Sequence, residues 1–178
     1  MNDCNIEWAL LEYDRCRNNK RADKHMDGFG SIINDFFSTN GLIVKKNQPV
    51  GETEYRSKRW DYSIWSDEKL EAVIELKSLG KSANKNINNR MEEALGCASF
   101  MSTRQPSVKK GYIFIGDELE ENTKKRWLNF FGDCLSNKWY DGICCIMLDN
   151  NRNFVCPSGM NMENLLQSLF KHLTIKKE

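Results

Sequence analysis

The chain has 178 residues, of which 40% are apolar and 29% charged, with a formal net charge of +1. That length suits one domain with a sizeable core, and adequate hydrophobicity with so little net charge excludes a mainly disordered chain. The longest apolar run, Gly142–Leu148, is strand-sized and excludes a bilayer span, while Met1–Leu11 carries Asp3 and Glu7 and has no secretory apolar stretch, so a cytoplasmic protein is expected.

In chain order, Asp3–Arg17 reads as a helix with Ile6, Ala9, Leu10 and Tyr13 on one face, and Asn18–Asp23 as a polar break. Met26–Ser38 is a second helix, ended by Asn40-Gly41, and Gly41–Lys46 a short strand. Trp60–Trp65 and Glu71–Leu79 are strands joined by Ser66-Asp67-Glu68-Lys69. Asn89–Thr103 is a helix, Gly111–Gly116 a strand and Glu120–Leu135 a long helix. Ile143–Leu148 and Asn153–Cys156 form a hairpin around Asp149-Asn150-Asn151, and Met162–Leu173 is an amphipathic terminal helix read as core packing, with a dimer seam as the lesser reading. Pro49, Pro106 and Pro157 fall between periodic segments and mark loops. The order α-α-β-β-β-α-β-α-β-β-α predicts an α/β fold, a mixed central β-sheet flanked by helices.

The seven cysteines include no CxxC pair, and His25 and His172 lie far from any cysteine cluster. In a reducing compartment they read as small core hydrophobes rather than zinc ligands or disulfides. Cys144 and Cys145 are adjacent, so a strand points them to opposite faces.

The chemistry concentrates in the central hairpin. Ala72–Lys77 is mostly apolar, yet period 2 places Glu75 and Lys77 on one face, with Ile74 and Leu76 on the other. Charges within so apolar a strand are costly unless paired or functional. If the turn is centred on Glu68, with a loop of three or five residues, Asp61 lies directly opposite Glu75, with Cβ atoms about 4.5–5.5 Å apart. Two carboxylates so placed repel one another, and a divalent cation between them reverses the sign, most simply Mg²⁺ held by oxygen ligands. Lys77, two residues on, can orient a water or stabilise charge on a phosphate under attack. That set suits phosphodiester hydrolysis without a covalent nucleophile. The plain alternative is a surface ion pair on an edge strand.

Asp61 followed by Glu75-Leu76-Lys77 on the adjacent strand resembles the PD-(D/E)xK nuclease superfamily, with Trp60 in place of the proline. Ile74-Glu75-Leu76-Lys77-Ser78, then Asn88-Asn89-Arg90-Met91-Glu92-Glu93-Ala94-Leu95-Gly96, resembles XhoI-type restriction endonucleases, with looser support from Met26–Phe29, Arg59–Asp61 and Gly111–Phe114. The resemblance implies a restriction-endonuclease-like core within one nuclease domain, residues 1–178, with the catalytic core at about 24–120 and a C-terminal hairpin and helix at 139–175. It implies a Mg²⁺-dependent type II endonuclease of a prokaryotic cytoplasm, cutting double-stranded DNA at a short specific sequence to leave 5′-phosphate and 3′-hydroxyl ends. Its partners would be a second copy of the chain, the C2 homodimer that suits a palindrome, and a cognate DNA methyltransferase acting in the same system without a stable complex. Asp61, Glu75 and Lys77 would then be catalytic, with Asp61, Glu75 and Leu76 at the metal. Asp27 would be a supporting acid or simply a helix N-terminal acid favoured by the dipole, and Glu92 or Glu93, in the first turn of their helix, would steady Lys77 or a water. The segment after ELKS, Leu79–Lys85, and the stretch Ser99–Arg104 depart from the family pattern, which leaves the recognised DNA sequence open.

The balanced charge allows a locally basic face without demanding one. Between Val44 and Trp60 lie Lys45, Lys46, Arg56, Lys58 and Arg59 against Glu52 and Glu54. Lys81 and Lys85 suit phosphates, and Asn84, Asn86, Asn88, Asn89 and Arg90 suit base edges, with Asn88 or Asn89 also expected to cap the following helix. The rival readings are a repair or junction-resolving nuclease of the same superfamily and a DNA-binding relative that has lost catalysis.

Overall fold

The structure is a computed structural model that describes residues 3–16, 24–50, 58–80, 87–149, 151, 153–171 and 173. Among these residues the elements run α1 (Asp3–Cys16), α2 (Asp27–Thr39), β1 (Ile43–Val50), β2 (Lys58–Ser66), β3 (Lys69–Leu79), α3 (Ile87–Arg104), β4 (Lys109–Asp117), α4 (Glu121–Ser136), β5 (Gly142–Leu148), β6 (Phe154–Val155) and α5 (Met162–Phe170), with a 3-10 turn at Lys24–Met26 leading into α2. No helix among them is long and apolar enough to cross a membrane.

The six strands form one sheet in sequential order. β1, β2 and β3 are antiparallel, β3, β4 and β5 parallel, and β6 closes a hairpin on β5. The parallel strands need crossovers, and α3 and α4 supply them. Strand alternation then sorts the core. Ile74, Leu76, Ile113, Ile115, Cys144 and Ile146 face α1, α2 and α5. Tyr112, Phe114, Ile143 and Cys145 face α3 and α4. The fold is therefore the expected mixed sheet between two helical layers, buried on both faces through its parallel half. In α5, Met162, Leu165, Leu166 and Leu169 are buried, so its apolar stripe is spent on the core.

Three local expectations are corrected. β1 runs on to Val50 and includes Pro49, paired with Arg59, so this proline does not mark a loop. It is tolerated because β1 is the sheet's edge and a missing N–H there breaks no further ladder. α3 begins at Ile87, which puts Asn88 and Asn89 inside its first turn rather than at its cap and moves Glu92 and Glu93 into the second turn. The β2–β3 turn is only Asp67-Glu68, with Asp67 in the left-handed region at φ 54°, a conformation aspartate adopts more readily than bulkier residues.

Of the six described cysteines, Cys97, Cys134, Cys144 and Cys145 are buried and all six are free thiols. Burial pushes Cys134 and Cys145 up to about 12, and Cys144 well above its ordinary value. These three carry almost no thiolate at about pH 8, so native protein is expected to leave them unmodified by a thiol reagent until denaturant is added. Fast labelling of Cys144 in the native state would contradict its burial.

Candidate active site

The register that matters is set far from the turn. Pairing begins at Ser66–Lys69 and Trp65–Leu70, then shifts at a bulge to Ile64–Ala72, Ser63–Val73 and Tyr62–Ile74. The short turn alone would offset the strands by one residue, and the extra residue Glu71 restores them. The frame expected for Asp61 and Glu75 is thus reached by a two-residue turn plus a bulge, not by an odd loop.

The β2–β3 ladder stops at Tyr62–Ile74. β3 continues against β4 to Leu79–Gly116, and β2 continues against β1 to Lys58–Val50. The two strands therefore part where Asp61 and Glu75 stand. Asp61 Oδ2 accepts the Leu76 N–H at 2.7 Å, so a carboxylate takes over the donor that the ladder leaves behind. The alternation of β2 breaks at the same place, since Trp60 packs with Val73 and Cys97 whereas Tyr62 packs with Ile74 and the α1–α2 layer. Opposite this break, Asn47 of β1 has φ 54°.

Glu75 is buried at 6% exposure. Lys58 Nζ lies 3.0 Å from both of its oxygens, but only Oε1 receives an aligned hydrogen bond, and Oε2 is buried without one. Lys77 Nζ stands 3.7 Å from Glu75 and 3.1 Å from Glu93, whose other oxygen accepts from Arg90 at 2.7 Å. Alternating charges thus run Lys58, Glu75, Lys77, Glu93, Arg90. Burial pushes the Glu75 carboxyl above its ordinary value and Asp61 adds to this, against the pull of Lys58 and Lys77. Burial is the largest influence on Lys58 and works to lower it, yet the charge and hydrogen bond of Glu75, together with the Cys97 thiol, outweigh it, and the ammonium is held more firmly than usual. Burial likewise opposes the shift at Glu93, but Arg90 and Lys77 hold its carboxyl below its ordinary value.

Above this row opens a cleft of about 400 Å³, bordered by Asp61, Lys77, Arg90, Asp27, Lys46 and His25. His25 Nε2 lies 2.7 Å from Ser78 Oγ, and Lys46 Nζ pairs with Asp27 at 2.6 Å. The structure so brings together Asp61, Glu75, Leu76 and Lys77. It places Asp27 at the first residue of α2 on the cleft's edge, engaged by Lys46. Glu93, rather than the exposed Glu92, holds Lys77. Arg90 lines the cleft, Asn89 is exposed, and Asn88 accepts a hydrogen bond from Arg126 of α4. Lys81, Asn84, Lys85 and Asn86 lie outside the described residues. Lys58 and Lys46 enter the sequence reading only as basic charge, and His25 and Ser78 have no site role there, because each joins the site through a tertiary contact that no local spacing announces.

Tyr62, beside Asp61, depends on Gly30. A Cβ on Gly30 would stand 1.8 Å from the Tyr62 hydroxyl and 2.7 Å from its ring carbon. Gly30→Ala is expected to cost about 1–3 kcal/mol in urea unfolding, as overpacking does, with part recovered in Gly30→Ala/Tyr62→Phe. Strict additivity of the two changes would refute the contact.

Among the described residues no group of three His, Cys, Asp or Glu side chains gathers closely enough to hold an ion. The donors on hand are the Asp61 and Glu75 carboxylates and the Leu76 carbonyl. That set fits Mg²⁺, which binds through one or two carboxylates and keeps waters and phosphate oxygens for the rest. The buried Glu75 Oε2 without a hydrogen bond is the kind of atom such an ion satisfies.

Residues 13–124 match the family described as restriction endonuclease XhoI. The type II restriction enzyme XhoI of Xanthomonas vasicola is 36% identical over 123 residues, covering 65% of this chain and 47% of its own length. AbrI of Azospirillum brasilense, also a type II restriction enzyme, is 31% identical over 118 residues, covering 58% and 53%. The chain spans about half the length of the curated relatives it matches. Among solved structures, an XisH family protein from Nostoc punctiforme covers 71% of this chain and 95% of its own at 10% identity and a TM-score of 0.41, a likeness too loose to carry a functional argument. The family match takes in Asp61, Glu75, Lys77 and the whole of Asn88–Glu93, and by it the chain belongs to the XhoI restriction endonuclease family.

Proposed function

We propose that this chain forms the nuclease core of a type II restriction endonuclease that hydrolyses phosphodiester bonds of double-stranded DNA at a specific short sequence. The observation that carries the reading is the parting of β2 and β3, which leaves Asp61 and Lys77 lining an open cleft, with the buried Glu75 carboxylate 3.7 Å from the Lys77 ammonium. Asp61, Glu75 and the Leu76 carbonyl would hold Mg²⁺. When bound, it screens phosphate charge and lowers the pKa of a water.

The chain's own groups do the positioning. Asp61 fixes the Leu76 peptide by accepting its N–H, which sets the direction of β3 between the two catalytic side chains. Lys77, steadied by Glu93, presents an ammonium for the charge that builds on the phosphate. Arg90 and Lys46 bring positive charge to the cleft edge, and Lys81 and Lys85 would meet phosphates, while Asn84, Asn86, Asn88, Asn89 and Arg90 would reach base edges. Asp27 is a supporting acid once Lys46 turns to a phosphate. The core falls at about residues 24–120 of a single nuclease domain. The working unit is a homodimer in a prokaryotic cytoplasm, alongside a methyltransferase that protects the same sequence.

A plasmid digest with Mg²⁺, with the product ends sequenced, tests this. Discrete, reproducible fragments sharing one end sequence are expected. Structure-selective nicking would instead support a repair enzyme, and absence of any cutting would overturn catalysis.

A further inference from the structure

Lys58 is not needed by the scheme above, yet it sits at its centre. It projects from the start of β2, on the stretch where β2 has already left β3. Its ammonium reaches both oxygens of Glu75 at 3.0 Å, with side-chain exposures of 16% and 8% for the two partners. An ionised carboxylate so buried needs a cation, or it is driven to the neutral acid. Lys58 supplies that cation from within the chain, but it does so on the lone pairs that a divalent ion would take.

The two lysines on Glu75 differ in how they are held. Lys77 has Glu93 at 3.1 Å besides Glu75 at 3.7 Å, so it keeps a carboxylate partner if Glu75 is taken. Lys58 has its ion pair with Glu75 itself. Its four-carbon stem is flexible, its ammonium rotates freely, and it reaches the site from the end of a strand. Two ammonium groups and a divalent ion around one carboxylate repel each other strongly, and Lys58 is the one able to withdraw.

We infer that Lys58 is a resident counter-ion that occupies the metal seat on Glu75 and is exchanged for the divalent cation when the site loads, which makes it a positioning residue that lowers metal affinity in the absence of DNA. The inference rests on the nuclease reading for its purpose: once withdrawn, the Lys58 ammonium becomes available to a DNA phosphate, so metal and DNA load together.

The test is Mg²⁺ binding to the full chain without DNA, by calorimetry and by the metal-induced rise in Tm. Lys58→Gln keeps an amide donor for Glu75 and removes the charge, and Lys58→Met removes both. Each is expected to melt lower than wild type without metal, to bind Mg²⁺ about tenfold more tightly, and roughly to double the metal-induced rise in Tm. Lys58→Arg should stay at the wild-type affinity, and the gain should vanish when Glu75→Gln is added. Should Lys58→Met fail to fold, Lys58→Gln alone decides the matter. A merely structural lysine would lower Tm equally with and without metal, and unchanged or weaker Mg²⁺ binding in Lys58→Gln would overturn the exchange. Wild-type plasmid cutting separates the two claims. Cutting with no affinity gain sinks the exchange alone, and an affinity gain without cutting sinks the nuclease reading alone.

Discussion

Asp61→Asn and Glu75→Gln are each expected to reduce DNA cleavage by at least about 10³-fold while DNA binding, measured in EDTA, stays within a few-fold of wild type. The two substitutions are nearly isosteric and remove only a charge. At position 61 the choice of Asn over Ala divides structure from chemistry. Asn can still accept the Leu76 N–H, which now bonds to Asp61 at 2.7 Å, whereas Ala orphans it. Asp61→Ala should therefore lose about 1–3 kcal/mol of stability beyond the cleavage defect, and Asp61→Asn much less. Both changes at 61 should silence cutting equally, because neither restores a carboxylate for the metal. If Asp61→Asn cuts at near wild-type rate, Asp61 serves the sheet alone. Removing divalent metal from wild type should match the loss seen in the charge-deleted variants.

How much of this was legible beforehand follows from what each feature depends on. The element order and the sorting of Ile74 and Leu76 from Glu75 and Lys77 depend on periodicity, which is local, and they are as expected. The frame of Asp61 against Glu75 was anticipated from an odd loop, yet it arises from a two-residue turn corrected by a bulge, two departures that cancel. Turn length and bulge position are weakly marked in sequence, because no glycine or proline stands at Asp67-Glu68. α3 starts at Ile87, two residues before the expected Asn89, for a related reason. Asn88 and Asn89 look like caps, but they stand in the first turn, where Asn88 accepts from Arg126 of another helix. Lys58 reads from sequence only as basic charge, because its partner Glu75 is 17 residues away and is reached only after β2 leaves its ladder. Sequence patterning shows which face a strand residue takes and says little about which cation a buried carboxylate will find.

The aromatic stack under α4 should show the largest stability effect. Trp127 is fully buried, with its ring centroid 4.5 Å from Phe114 and 5.1 Å from Phe131. Phe114 is the β4 partner of Lys77, and Tyr112, the β4 partner of Glu75, lies 5.8 Å from Phe131 and 5.2 Å from Tyr140. Tyr140 then donates to the Ala94 carbonyl at 2.8 Å, next to Glu93 on α3. One packed chain of rings so supports β4 beside β3 and also fixes the helix that holds Lys77. Trp127→Ala is expected to cost about 3–5 kcal/mol in urea unfolding, since neighbours on two elements must collapse into the space. Trp127→Phe should cost under about 1.5 kcal/mol, because the indole Nε1 is buried without a hydrogen-bond partner and its loss leaves nothing unpaired. At a temperature where both variants remain folded, Trp127→Ala should also cut DNA more slowly than Trp127→Phe, because loosening α4 releases α3 and with it the Glu93 hold on Lys77. Equal stability of the two variants would show that α4 repacks freely and that the stack does not set the position of the site.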